Sequence, residues 1–385
     1  MQVDDPVPTK AVTRARHAAH RESRRDPVAR HRPPGGLPSV PEGRLVLRPA
    51  VSIIVPCFNE EPTIGLLLQA ILDQSFSAAK MEVILADGGS TDGTLGVVRA
   101  FADQHPSLRI AVIENPQQII PAALNRAIEA ARGAVIVRLD AHSIPQPDYV
   151  AQCLRVLGET EAANAGGVWQ IHPSAGTWIA RGIAAAASHR LGAGDARYRT
   201  SGAAGEVDTV PFGAYPRAWL KRVGPYDESL LTNEDYEYNV RLRKAGGKIW
   251  FDPSIRSIYF ARATLGSLAR QYARYGFWKA RMLRRYPGTL RWRQALPSAF
   301  VLATFILALA APWMPLARWL LGLQWALYAG ALLMASLAQA RLRHDWALVA
   351  GMPLAWAVMH LAWGGAFWWR WLTSFARGES ESIRS

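Results

Sequence analysis

Three uncharged stretches close this 385-residue chain, over residues 296–315, 319–338 and 346–367. Each is about 20 residues long, the length a helix needs to cross a bilayer core of roughly 30 Å. Helices of a globular core rarely run so far without a charge, and three in succession predict membrane insertion. Ten of the 15 tryptophans lie from Trp292 onward, several at the ends of the stretches (Trp313, Trp319, Trp346, Trp368). Tryptophan collects at membrane–water boundaries, where its ring is half apolar and half polar. The short connections carry Arg318, then Arg341 and Arg343 against Asp345. With the strongly basic approach to the first stretch, this pattern puts the N-terminal domain and the 341–345 loop inside and the C-terminus outside.

The formal charge of +14 is unevenly spread. Residues 1–50 carry +5, 51–261 carry −3, 262–293 carry +9 and 294–385 carry +3. Nine cations with no anion therefore sit directly before the first apolar stretch, which points to anionic lipid at the cytoplasmic face rather than to nucleic acid. Residues 262–294 read as basic amphipathic membrane-interface helices, residues 295–373 as about three transmembrane helices and residues 374–385 as a tail. Residues 1–49, rich in Arg, Pro and Ala, read as a disordered basic arm with no signal-peptide apolar core. Two cysteines exclude a disulfide scaffold and a multi-cysteine zinc site. With no partner His and Asp to suggest a thiol nucleophile, Cys57 and Cys153 read as packing residues.

Between the arm and the basic stretch, residues 50–261 alternate short β-branched runs with helical patterns. Strands are expected over 51–56, stopped by Pro56, and over 81–86, 108–114 and 134–139. Helices are expected over 59–74, from the 91–94 turn through 102, and over 119–131, with Gly133 as C-cap. This is an α/β domain with a mainly parallel sheet, whose ligands bind at the carboxyl ends of strands. Acidic clusters stand at three such ends: Asn59-Glu60-Glu61, Asp87 and Asp140-Ala141-His142. Neither a glycine-rich dinucleotide fingerprint nor a P-loop is present. Turns that offer carboxylates can hold a diphosphate only through a divalent metal.

Four motifs now stand in order: V-S-I-I-V-P-C-F-N-E-E, A-D-G-G-S-T-D-G-T, R-L-D-A-H-S and N-E-D-Y-E-Y-N-V-R-L-R-K-A-G-G. Together they resemble the family 2 inverting glycosyltransferases of the GT-A (nucleotide-diphospho-sugar transferase) fold, over roughly residues 50–290. The resemblance implies a nucleotide-sugar donor and a divalent metal, Mn²⁺ or Mg²⁺. It places Pro56 and Glu60 in the first nucleotide-contacting loop, Asp87 on the nucleobase and Asp140 on the metal and donor. The second acidic position of the Asp87 motif is Gly88 here. The third position of the metal motif is His142, a ligand that leans toward Mn²⁺; a strand-end histidine bonded to backbone is the plain alternative. Asp235 falls at the catalytic base by motif position. Glu234 beside it is a second candidate for the base, counted with the acceptor site, and both would also suit a helix N-terminus.

In the basic stretch, Gln271-Tyr272-Ala273-Arg274-Tyr275 resembles the Q-x-x-R-W motif of membrane polysaccharide synthases. There Gln271 and Arg274 would lie near the donor diphosphate and Tyr275 near the acceptor. Residues 211–215 are either an acceptor-pocket wall or a plain turn. The whole layout is similar to succinoglycan-type exopolysaccharide glycosyltransferases. That implies glucosyl transfer from a UDP-sugar to a lipid-linked sugar at the cytoplasmic face of the cell membrane, with other glycan-assembly proteins as partners. A processive synthase and a non-catalytic scaffold of an assembly complex are the competing readings.

Overall fold

The structure, a computed structural model, describes residues 48–376. All but the innermost residues of the expected basic arm and tail lie outside that range. The domain is built on one nine-stranded sheet. Its strands are β1 (Val51–Cys57), β2 (Met81–Asp87), β3 (Arg109–Glu114), β4 (Val135–Arg138), β5 (Ile144–Pro145), β6 (Asn164–Pro173), β7 (Gly205–Glu206), β8 (Ala214–Pro216) and β9 (Ile249–Ala261). They lie in the order β3-β2-β1-β4-β8-β6-β9-β5, with β7 on β9. The first four are parallel, β8 runs antiparallel to β4 and β6, and β6 and β9 pair in parallel. The mainly parallel sheet expected from the α/β alternation is therefore mixed in its second half.

The central strands β1 and β2 are covered on both faces, which is why they read as unbroken apolar runs. Helices α1 (Ile64–Leu72), α2 (Thr94–Gln104), α3 (Ile120–Ala130) and α4 (Tyr149–Thr160) connect this half. Val51, Ile53, Val55, Leu67 and Leu68 pack on one side of it and Ile54, Ile84, Leu124 and Ala127 on the other.

Three local expectations are corrected. β1 runs through Pro56 to Cys57. Leu139 N donates to Ile54 O, so the backbone groups of Pro56, two residues on, face the side where β4 has already ended. No ladder bond is lost there. α1 starts at Ile64, not at residue 59, because Asn59 is left-handed (φ 54°) and residues 59–61 bond the 90–94 loop instead. Gly133 does not cap α3, whose C-cap is the extended Ala131. It is small because a Cβ there would stand 2.5 Å from Ser52 N.

The chain continues through α5 (Trp178–Ala187), α6 (Arg190–Ala193), α7 (Arg197–Thr200), α8 (Arg217–Val223) and α9 (Glu234–Lys244). The basic stretch forms one long helix, α10 (Leu265–Arg285), and leads into α11 (Trp292–Ala310), α12 (Pro315–Arg343) and α13 (Leu348–Ala376). Helix α11 starts earlier than its apolar run and ends before it. Pro315 opens the next helix, a position proline favours because its missing N–H has no partner there anyway. The last three helices are long and apolar enough to cross a membrane. Few residues of α11 and α12 are fully buried, 6% and 11% of their windows, whereas 44% of the α13 window is buried. Helix α13 packs on α10 and α5 through Leu348, Met352, Trp356 and Trp363. Two close backbone approaches hold it: Gly351 against Gly182, and Trp363 against Gly276, where a Cβ would lie 2.1 Å from the Trp363 carbonyl oxygen.

The nine cations of residues 262–293 are only partly the lipid-facing set the sequence suggested. Arg285 pairs with Asp227, Arg291 and Arg293 pair with Asp195 and Asp208, and Lys279 is buried. Three of the nine thus fasten α10 and the start of α11 to the acidic domain.

Candidate active site

Parallel strands β1, β2 and β4 end at one rim of the sheet, and their loops are tied together there. Asn59 Oδ1 accepts from Thr91 N at 2.8 Å, Glu61 Oε2 from Gly93 N at 2.9 Å, and Thr94 Oγ1 from Glu60 N at 2.8 Å. Asp87, buried at the end of β2, accepts from Gly89 N and Ser90 N at 3.0 Å and from Ser90 Oγ at 2.6 Å. Its carboxylate shapes the loop and does not line the cavity. Pro56 likewise stays within the ladder, opposite Ala86.

The carboxylates that do face the cavity gather around a residue the sequence reading passed over. Arg138, the last residue of β4, has a side chain only 3% exposed. Its Nη2 lies 3.2 Å from both Asp140 and Glu234, and its Nη1 pairs closely with Asp235. Burial pulls the guanidinium's pKa down, but Asp140 and Glu234 outweigh it and the net shift is upward. Glu234 and Asp235 open α9 after the left-handed Asn233 (φ 68°), where the helix dipole favours negative charge. One buried cation thus brings together the residue expected at the metal and both candidates for the base.

His142 lines the same cavity, with Nδ1 3.0 Å from Glu60 Oε1. Partial burial disfavours its cation, yet the Glu60 bond together with the charges of Glu60 and Asp140 outweighs this and raises its pKa. Among the described residues no three of His, Cys, Asp or Glu assemble as a ready-made metal cage. One carboxylate and one imidazole are the donor set of a site that phosphate oxygens complete. Asp140 and His142 therefore fit a divalent metal held jointly with a diphosphate.

The motif on α10 forms the facing wall. Gln271 Nε2 donates to Tyr259 Oη at 3.1 Å and to Tyr275 Oη at 3.0 Å, so its amide orders tyrosines. Tyr275 stands edge-on to Tyr272, and its carbonyl accepts from Asn233 beside the acidic pair. Arg274 is exposed and lines the cavity, and among the described residues no carboxylate pairs with it. Trp169 of β6 stacks on Tyr259 with ring centroids 4.3 Å apart. Neither aromatic carried a sequence signal beyond strand alternation. Residues 211–215 divide between a bend at 211–212 and strand β8 from Ala214 on. Tyr215 Oη donates back to Phe212 O in a turn, while Pro211 and Phe212 line the cavity. Both cysteines are buried and their thiols pushed up by burial, as packing residues should be.

The cavity measures about 740 Å³. Its lining runs from Asp140, His142, Glu234 and Asp235 to Pro297 and Phe300 of α11, Tyr328 of α12 and Trp363 of α13. Soluble domain and apolar helices thus share one chamber.

The sequence profile of glycosyl transferase family 2 matches residues 52–224. Succinoglycan biosynthesis protein ExoA of Rhizobium meliloti strain 1021 is 34% identical over 333 residues, covering 84% of this chain and 96% of that protein. A dolichyl N-acetyl-alpha-D-glucosaminyl phosphate 3-beta-D-2,3-diacetamido-2,3-dideoxy-beta-D-glucuronosyltransferase of Methanococcus voltae is 27% identical, covering 67% of this chain and 81% of its own. Among solved structures, mannosyltransferase PcManGT of Pyrobaculum calidifontis, in complex with GDP-Man and Mn²⁺, superposes with a TM-score of 0.55 at 23% identity. It covers 82% of this chain and 88% of its own, a likeness of GT-A fold.

Proposed function

The chain belongs to glycosyl transferase family 2, and from that premise we propose that it moves a hexosyl group, glucosyl in the first instance, from a UDP-sugar to a lipid-linked sugar, with inversion. The reaction takes place at the cytoplasmic face of the cell membrane. One observation carries this reading: the chamber that holds Asp140 and Asp235 is also walled by α11, α12 and α13. A water-soluble donor and a lipid-borne acceptor would meet only in a chamber of that kind.

Inversion is a single displacement. The acceptor hydroxyl oxygen bonds to the anomeric carbon as the bond to the diphosphate breaks, and the electron pair leaves with the diphosphate. The hydroxyl proton passes to the Asp235 carboxylate, which reaches the chamber from the first turn of α9. Arg138 fixes that carboxylate relative to Asp140, so base and donor site keep one geometry. Asp140 and His142 would hold a divalent metal, which supplies neutralisation of the charge building on the leaving diphosphate. Arg274 offers the same diphosphate a guanidinium that no carboxylate among the described residues engages. The biosynthetic role of ExoA and the lipid-linked substrate in the Methanococcus protein's name support the choice of acceptor.

The test uses membranes containing the protein, a panel of radiolabelled UDP-sugars with Mn²⁺ or Mg²⁺, and extraction of the lipid. One UDP-sugar should label an extractable lipid. Asp235→Asn should lower that transfer by about 10²–10⁴-fold, the worth of a positioned base. Undiminished transfer in the variant would remove Asp235 from the role.

A further inference from the structure

Arg199, on α7, differs from Arg138 and Arg293, which line the same chamber. Arg138 is ringed by three carboxylates, and Arg293 is held by Asp195 and Asp208. Among the described residues Arg199 has no carboxylate. Its guanidinium sits 5.5 Å from the Trp169 ring centroid and 5.6 Å from that of Tyr198, and Nη1 donates to Tyr272 Oη at 3.0 Å. Its Nε is buried without an acceptor. A guanidinium stays charged at any pH the protein meets, so this one is a fixed cation with donors and no anion.

Its position joins the two ends of the chamber. Tyr272, which accepts from Arg199, is on the α10 turn that continues to Tyr275 and Gly276. Tyr275 O accepts from Asn233, next to the base, and Gly276 abuts Trp363 of α13. Asp195, two residues before α7, pairs with Arg293 in the first turn of α11.

We propose that Arg199 is the phosphate-binding residue of the acceptor subsite. The ligand it fits is the phosphate or diphosphate ester of a long hydrocarbon alcohol, with the phosphate on Arg199. The hydrocarbon lies along Leu296, Pro297, Phe300, Tyr328, Met359 and Trp363, which line the same chamber. This rests on the lipid-linked acceptor proposed above and names the group that recognises it. Arg274 is left to the donor.

The experiment places the full chain in phosphatidylcholine nanodiscs and follows tryptophan fluorescence on addition of geranylgeranyl phosphate or geranylgeraniol. UDP binding is measured in parallel. The phosphate should bind about tenfold or more tighter than the alcohol, the worth of a charge-assisted hydrogen bond. Arg199→Gln should erase that margin with UDP binding intact, Arg199→Lys should restore part of it, and Arg274→Gln should leave it whole. Equal affinity of phosphate and alcohol for the unmodified protein overturns the proposal without reliance on any variant. So does a margin that survives Arg199→Gln, or equal competition by inorganic phosphate or phosphatidic acid. If the margin is present but no UDP-sugar labels a lipid, the transferase reading fails and the subsite stands.

Discussion

At the scale of single residues, Arg138 is the side chain on which the site most depends. Three carboxylates converge on it at the end of a buried strand. Arg138→Gln would leave them facing one another with no counter-charge, a loss of about 3–5 kcal/mol by the measure of broken buried pairs. Thermal unfolding should register that loss, and kcat should fall with it. Lys279 gives a pH-dependent counterpart. It is buried on α10, donates to Thr289 O at 2.9 Å and lies 4.0 Å from the Tyr236 ring centroid. Burial, aided by Arg293, lowers its pKa from 10.5 to about 7. The neutral amine is therefore the form the fold prefers. Stability from this group is complete above 10.5 and falls as pH drops toward about 7. Lys279→Met should flatten that part of the unfolding-temperature profile, and an unchanged slope would assign it to other groups. Asp140, Glu234 and Asp235 were legible in the sequence because their chemistry is carried by local motifs. Arg138 and Arg199 were not weighed, since what singles them out is which charges surround them, and that is set by strands and helices far apart in the chain.

At the scale of elements, close packing is concentrated where glycine removes a side chain. Gly276→Val on α10 would drive Cβ into the Trp363 carbonyl of α13. Overpacking of this kind costs about 1–3 kcal/mol, and here it falls on the wall that carries Tyr272 and Tyr275. Transfer should drop through a raised acceptor KM more than through UDP binding; the reverse pattern would place the damage elsewhere. The sequence revealed α10 through its amphipathic spacing and the last three helices through their length. It did not reveal that α13 is packed against the domain. An uncharged helix reads the same whether lipid or protein covers it, and only Gly182, Gly351 and Gly276 hinted at a backbone approach. The reverse error shortened α1. The expected start at residue 59 was too early, because the polar groups of residues 59–61 are spent on the neighbouring loop.

At the scale of the molecule, the turn before α13 lies on the side of the catalytic domain, because Arg181 of α5 bonds Asp345 at 2.9 Å. The turn between α11 and α12, with Trp313 exposed, is one apolar helix away. The native thiols are both buried, so introduced ones can be labelled against a low background. In sealed vesicles, His344→Cys should react from the same face as the catalytic domain and Trp313→Cys only from the opposite face. Labelling of both from one face would show that α11 and α12 do not span. The sheet supplies the rim and the interface helix supplies the wall, and three of the nine cations that first suggested lipid, Arg285, Arg291 and Arg293, tie α10 and the start of α11 to the domain through Asp195, Asp208 and Asp227.

The backbone contacts between α13 and α5 and between α13 and α10 have a consequence for what is made. Two glycine-mediated seams and an ion pair fasten α13 to the domain that carries the carboxylates. On the proposed membrane placement, that packing would hold the proposed base at one height above the bilayer. A sugar carried on a membrane-held lipid reaches that height at one distance from its phosphate and overshoots it once it has grown. The protein would act as a ruler, adding at a fixed rung and releasing the lengthened glycan to whatever enzyme stands at the next.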